Sequence, residues 1–373
     1  MREKGFDPFR ERRKRMKIVF TGGGTAGHVM PNIALINRLK AEGWEISYIG
    51  SKTGMEKGLI EALGDVPYYG VSTGKLRRYF DWKNFTDPFR VINGFLEARR
   101  ALKKIKPDIV FSKGGFVSVP VVLGAARMGK KRPHIIAHES DYTPGLANRI
   151  AGRYADTVCC TFEDTVKTVK HGRPVFTGTP IRPELFEGSR EKGLAFAGLS
   201  GEKPVLFIMG GSSGAVRVNL LVRSALDRLL PVYDIIHLCG KKNVDESAAR
   251  PGYVQYEYIS EQLADLLAAA DVVISRAGAN AVFELMALNK PTVFIPLGLD
   301  ASRGDQILNA KYCERKGYAL RLDQNTATAD SLADAVNHLY ENRLEISAEM
   351  AKDSHLDGTD EVLAVIREAA ERK

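Results

Sequence analysis

The stretch FTGGGTAGHVMPNIALINRL, residues 20–39, decides the fold. The KIVF run that leads into it reads as a buried strand, and GGGTAGH as a turn. VMPNIALINRLKAEG reads as a helix, because its apolar residues recur every three or four positions. Strand, glycine turn and helix in direct succession open a parallel-sheet unit. Gly22, Gly24 and Gly27 satisfy G-x-G-x-x-G, and Gly22 and Gly27 also match the outer glycines of a P-loop. Neither motif is complete. A P-loop needs Lys and then Ser or Thr after its last glycine, where His28 and Val29 stand. A dinucleotide site wants an acid at the end of the next strand, yet EISYIGS ends in Gly50 and Ser51. The loop keeps a row of backbone N–H groups at a helix start, which is a seat for an anion such as a pyrophosphate.

Outward from that loop, EISYIGS, PDIVFSKG, HIIAHES and DTVCCTF read as further strands, with helical VSVPVVLGAARMG and GLANRIAGRYA between them. The pattern restarts at KPVLFIMGGSSGAVRVNLLVRSALDRLL. DIIHLCG, ADVVISRAG, PTVFIPL and YALRL then supply strands, and GDQILNAKYCERKG a helix. This alternation predicts an α/β protein of two Rossmann-like domains facing across a cleft. The seam falls near FTGTPIRPELF, where Pro180 and Pro183 interrupt regular structure. The expected units are a basic extension over residues 1–16, a domain over 17–179 and a second over 180–354. A terminal helix, about 355–373, is expected to pack back on the first domain. A chain of 373 residues suits two such domains.

The second loop, Gly210, Gly211, Ser212, Ser213 and Gly214, repeats the geometry and adds two hydroxyl donors. Two facing anion seats suggest two phosphorylated substrates. In SRAGANAVFEL a strand end turns through Gly278 into a helix carrying Glu284, whose carboxylate can accept two hydrogen bonds from a ribose diol. Gln306, in RGDQILNA, can meet a sugar or pyrophosphate oxygen. Each of these residues also has a plain reading as a surface helix position, and the pieces carry weight only together.

Hydrophobic content of 44% and charged content of 27% fit a globular chain, and no apolar run approaches the ~20 residues of a membrane span. The leading residues lack a secretory signal pattern, so a cytoplasmic address is expected. Cys159, Cys160, Cys239 and Cys313 form no C-x-x-C pair and read as reduced, mostly buried thiols. The net charge of +9 is concentrated: residues 1–17 carry +5 and residues 75–106 carry +7, leaving −3 for the rest. The second basic segment interleaves Tyr79, Phe80, Trp82, Phe85, Phe89 and Phe95 with its cations. That composition suits an anionic membrane surface, where each Lys or Arg contributes about 1 kcal/mol; a solvated helix face is the alternative. Nucleic-acid binding is not expected, because no zinc-ligand spacing or RNP-like run accompanies the charge.

GGGTAGHVMPN, SKGGFVSVP, HES with PGLANRIA, GTPIR, GGSSGA, SRAGANAVFEL and DQILNA, in this order, resemble the MurG family of bacterial glycosyltransferases from Lys17 onward. The resemblance implies the GT-B fold and an inverting transfer in peptidoglycan synthesis. N-acetylglucosamine would pass from UDP-N-acetylglucosamine to the C4 hydroxyl of an undecaprenyl-pyrophosphoryl-N-acetylmuramyl-pentapeptide, at the cytoplasmic face of the membrane. By the same resemblance, Thr25, Ala26 and Gly27 meet the donor sugar, and Arg182 and Ser212 its phosphates. Ile259 meets the uracil, Glu284 the ribose and Gln306 the sugar, with Asp141, Gly211, Ser213, Ala279 and Asn280 as further candidates. His28 is the candidate base, and Arg182 with the second loop would stabilise the leaving UDP. No D-x-D occurs, so neither a metal nor another cofactor is expected.

Two departures from the family pattern stand out. HESD, residues 138–141, replaces the usual HEQN, and an ionised Asp141 cannot donate a hydrogen bond. Ser213 replaces a longer Gln or Arg. His138 and Glu139 read as groups that shape the cleft rather than carry protons. The alternatives are a related GT-B transferase with another lipid acceptor or UDP-sugar, an oxidoreductase built on the glycine motif, and a non-catalytic membrane adaptor.

Overall fold

The computed structural model describes residues 15–74, 83–211, 214–300 and 302–372. Most of the basic extension, the aromatic residues Tyr79, Phe80 and Trp82, and the candidates Ser212 and Ser213 lie outside the described residues.

Two parallel sheets form the frame. The first holds β1 (Lys17–Thr21), β2 (Glu45–Ser51), β3 (Tyr68–Val71), β4 (Ile109–Ser112), β5 (His134–Glu139), β6 (Thr157–Cys160) and β7 (Arg173–Phe176), in the order β3-β2-β1-β4-β5-β6-β7. The second holds β8 (Val205–Met209), β9 (Asp234–Leu238), β10 (Tyr253–Tyr256), β11 (Val272–Ser275), β12 (Thr292–Phe294) and β13 (Ala319–Arg321), in the order β10-β9-β8-β11-β12-β13. Every pairing between these strands is parallel. In each sheet the order reverses beside the first strand of its half, between β1 and β4 and between β8 and β11. Crossovers leave in opposite directions there, and a crevice opens beyond the strand ends. Both glycine loops leave from these strands.

The interior strands are buried on both faces, so each sheet is sandwiched between two apolar layers. The helix Thr359–Glu371 packs Val362, Leu363, Val365 and Ile366 into a layer of the first sheet, against Leu35 and Phe111. The chain therefore passes between the halves twice, and the two passages run side by side. Gly358 N–H donates to the Thr179 carbonyl at 3.0 Å, and Ile181 N–H to Thr359 Oγ1 at 3.2 Å. At Gly178, whose φ is +70°, a Cβ would collide with the His355 carbonyl, and one at Gly358 with the Thr177 carbonyl. Only glycine permits so close an approach of two backbones. Beside this crossing, Phe162 of the first half packs edge-on against Phe283 and Tyr312 of the second, with centroids 5.1 and 5.0 Å away.

No described helix is long and apolar enough to cross a membrane. The helix Lys83–Ile105 exposes Ile92 and Leu96, one turn apart on one face, with Arg100 a further turn along and also exposed. All four cysteines are buried and unpaired.

Candidate functional site

The first loop is held from below by side chains of its own half. Tyr48 on β2 donates its hydroxyl to the Gly22 carbonyl at 2.8 Å, and Asn32 Nδ2 reaches the Tyr48 hydroxyl at 3.2 Å. Glu56 accepts from Gly24 N–H at 3.3 Å, while its other oxygen takes the Ser51 N–H and hydroxyl. A Cβ at Gly22 would lie 2.6 Å from the His28 carbonyl, and one at Gly23 would lie 2.5 Å from the Glu56 carboxyl carbon. These glycines are required by crowding.

Thr25 precedes a 3-10 turn, Ala26–His28, that leads into the helix Met30–Ala41 with a proline in its first turn. His28 lies in that turn beside the glycine pair Gly114 and Gly115. A Cβ at Gly115 would fall 3.2 Å from His28 Cδ2 and would collide with the Gly23 carbonyl. Burial, and secondarily the nearby charge of Lys113, lower the His28 pKa to about 4. Its ring is therefore neutral at pH 7, with Nδ1 buried and lacking a hydrogen-bond partner.

Beneath the loop lies Lys113, fully buried, which donates to His138 Nδ1 and to Thr179 Oγ1, each at 2.9 Å. An ammonium can only donate, so His138 Nδ1 accepts, and Nε2–H donates to the Gly178 carbonyl at 3.0 Å. Burial pulls the Lys113 pKa down to about 7, against the pull of Glu139 and Asp141. Burial and then Asp141 push Glu139 up to about 7. His138 and Glu139, almost wholly buried, hold structure together: Glu139 accepts from Asp141 N–H at 3.0 Å and from Asn148 Nδ2 at 2.9 Å.

The second loop fronts open space. A cavity of about 550 Å³ is lined by Gly210, Gly211, Gly214, Arg217, Arg276 and Gln306, among others. Gly211 has φ +85° with nothing near an added Cβ, so its need for glycine is conformational. Gln306 spends its Oε1 on the Leu297 N–H at 3.0 Å. Arg276 is fixed by bonds to the Ile295 carbonyl at 2.8 Å and Gln324 at 2.9 Å, and Arg217 lies 3.3 Å from Asp300. Arg217, Arg276, Asp300 and Gln324 were not among the expected site residues, although Arg217 and Arg276 stand inside or directly beside the glycine motifs that mark the site.

The helix Ala279–Ala287 links the wall of that cavity, which Ala281 lines, to the first loop. Asn280 donates to the Gly27 carbonyl at 2.8 Å, across the cleft. One turn later, on the same face, Glu284 accepts from Arg182 Nε at 3.0 Å. Ala279 is buried at the start of this helix, and Ile259 is half-buried against the core of the second half. Neither lines the cavity. Asp141 meets the second half. Its Oδ1 accepts from Asn309 Nδ2 at 3.3 Å, and Asn309 also takes the Tyr142 N–H at 3.1 Å, so HESD forms part of the domain contact. Among the described residues, no group of three or more His, Cys, Asp or Glu side chains could hold a metal ion.

Two doubly wound sheets, with a cavity at the second loop and a neutral histidine at the first, have the architecture of a GT-B glycosyltransferase. Residues 18–160 match the glycosyltransferase family 28 N-terminal domain, and residues 205–364 match its C-terminal domain. The chain is 54% identical, over 94% of its length and 99% of the relative's, to the UDP-N-acetylglucosamine–N-acetylmuramyl-(pentapeptide) pyrophosphoryl-undecaprenol N-acetylglucosamine transferase of Lachnospira eligens. Against the protein of the same name from Geobacillus thermodenitrificans, identity is 54% over 95% of this chain and 99% of that one. The crystal structure of Acinetobacter baumannii MurG superposes with a TM-score of 0.74 at 27% identity, covering 95% of this chain and 99% of that one. The chain belongs to the MurG family of glycosyltransferases.

Proposed function

We propose that this protein transfers N-acetylglucosamine from UDP-N-acetylglucosamine to the muramyl-pentapeptide carried on pyrophosphoryl-undecaprenol. The 54% identity to a transferase named for that reaction, over nearly the whole of both chains, carries the reading. The donor belongs in the cavity of the second loop, where Arg217 and Arg276 bring positive charge to the glycine N–H groups. Arg182 and Glu284, 3.0 Å apart, suit a joint at which a diphosphate meets a ribose: the guanidinium takes phosphate oxygen and the carboxylate takes hydroxyls. Gln306 still has its amide donor to offer to the sugar.

The acceptor's pyrophosphate would lie on the first loop, and its C4 hydroxyl would attack C1 of the donor sugar from the side opposite the leaving UDP. As that C–O bond forms and the bond from C1 to phosphate oxygen breaks, His28 takes the hydroxyl proton. Its neutral ring is in the required state. Residues 17–179 and 180–354 would serve as the two working units, with the terminal helix returning to the first. A peripheral site at the cytoplasmic membrane face fits the exposed Ile92 and Leu96 within a strongly basic segment.

The test is transfer from labelled UDP-N-acetylglucosamine to the lipid-linked muramyl-pentapeptide, with UDP-glucose as a parallel donor and diacylglycerol as a parallel acceptor. Transfer confined to the first pair is expected. Turnover only with another donor or acceptor would reject the proposed substrates.

A further inference from the structure

A second cavity, of about 500 Å³, opens in the first half beyond the ends of β5 and β6, beside the helix Leu146–Gly152. Its inner wall includes the buried Glu139 and Thr165, and its mouth carries the exposed Arg149, Arg153, Lys170 and His171. The side chains of those four make no hydrogen bond or ion pair with the described residues. Nothing in the donor site or in the chemistry at His28 uses them.

The geometry points to a binding site for the peptide arm of the acceptor, with the peptide's carboxylate on Arg149 and Arg153 and its N–H groups directed inward. The inference rests on the acceptor proposed above. Position supports it first. Asn148 lines this cavity and also packs on Gly114, where an added Cβ would lie 2.6 Å from its Oδ1. The next residue, Gly115, abuts His28. The cavity therefore begins one side chain away from the turn that backs the proposed base. Five extended residues span up to roughly 17 Å, enough for an arm starting beside the reacting hydroxyl to enter.

The order of charge supports it second. Arg149, Arg153 and Lys170 bring positive charge to the mouth, while Glu139 lies within, an acceptor when ionised and already bonded to Asp141 and Asn148. A phosphate or lipid headgroup pushed inward would meet that carboxylate. A peptide offers a carboxylate to the rim and N–H donors to the interior, and so matches both ends. The rim also reaches the domain contact, since Thr143, a lining residue, donates to Asp305 of the second half at 2.8 Å.

The test compares two soluble short-chain acceptors, one with the pentapeptide and one with unsubstituted N-acetylmuramic acid, using wild type and the surface double variant R149A/R153A. Wild type should favour the pentapeptide acceptor at least tenfold in kcat/KM. The variant should lose about tenfold on that acceptor through KM, with the peptide-free acceptor and donor KM unmoved. Equal loss on both acceptors would mark a general anion or membrane contact and overturn the assignment. Equal use of the two acceptors by wild type would overturn it as well. Wild type that transfers to neither, while using another lipid, would remove the acceptor reading itself, and this outcome differs from the others because the muramyl products are absent altogether.

Discussion

The loop after β1 and the loop after β8 hold equivalent places in sheets of matching strand order, and each mixes crowded glycines with an open one, Gly24 in the first and Gly211 in the second, yet they differ in what surrounds them. Tyr48, Asn32, Glu56 and Lys113 pack the first from below, and Asn280 closes on it from across the cleft. The loop after β8 borders a cavity of about 550 Å³. Topology supplies the same strand, glycine loop and helix twice, because a parallel strand feeding a helix at the reversal point leaves N–H groups facing a crevice. The side chains brought by neighbouring elements decide what each seat does. A loop held by side chains from both halves can orient a reacting group, whereas one that borders a cavity can receive a large leaving group.

His28→Ala would break this contrast most severely. We expect kcat to fall by about 10²–10⁴ with donor affinity intact, as measured by steady-state transfer and UDP titration. A loss of only a few fold would make the first loop a seat and nothing more. The same histidine predicts a pH profile. Because its folded pKa is lowered to about 4, the ring stays unprotonated above that value, and kcat should fall only as pH drops through about 4. An acid limb near the ordinary histidine value of about 6.5 would contradict the buried, neutral ring.

Glu284→Gln addresses the other side. It should raise the KM for the UDP-sugar by about tenfold and leave the acceptor KM alone, through loss of charge-assisted hydrogen bonds. A paired glycine test sharpens the contrast in stability. Gly115→Ala adds a collision with Gly23 to a φ of +78° and should cost about 2–3 kcal/mol, whereas Gly211→Ala, at φ +85° in open space, should cost about 1 kcal/mol. Thermal denaturation reads the difference, and equal costs would mean that the first loop can yield. Asp141→Asn should change least, below about threefold in any kinetic constant, since an amide oxygen can still accept from Asn309. A large change in donor KM would return Asp141 to the sugar site.

Much of the fold was legible because its interior strands are short, continuous apolar runs. Three strands carry no such signal: YYGV, RPVF and YVQY, which form β3, β7 and β10. All three are sheet edges, each mostly half-buried or exposed, and Gly70 and Pro174 weaken two of them as strand signals. The glycine loops, Glu284 and Gln306 could be picked out because motif spacing is a local property. Lys113 could not be read as a buried cation, for SKGG does not show that Thr179 and His138 converge on its ammonium from 66 and 25 residues away. Asn309 was likewise hidden in DQILNA, although it ties Asp141 and Tyr142 to the second half.

The sequence by itself determined the two α/β halves, the pair of glycine loops and the family, since periodicity, glycine placement and motif order are all encoded along the chain. Only the tertiary structure decided that the second loop borders a cavity while the first is met by Asn280 from across the cleft, and that a second cavity begins one side chain from the turn at His28. Burial and charge depend on which distant side chains meet, and neither chain order nor spacing carries that distance.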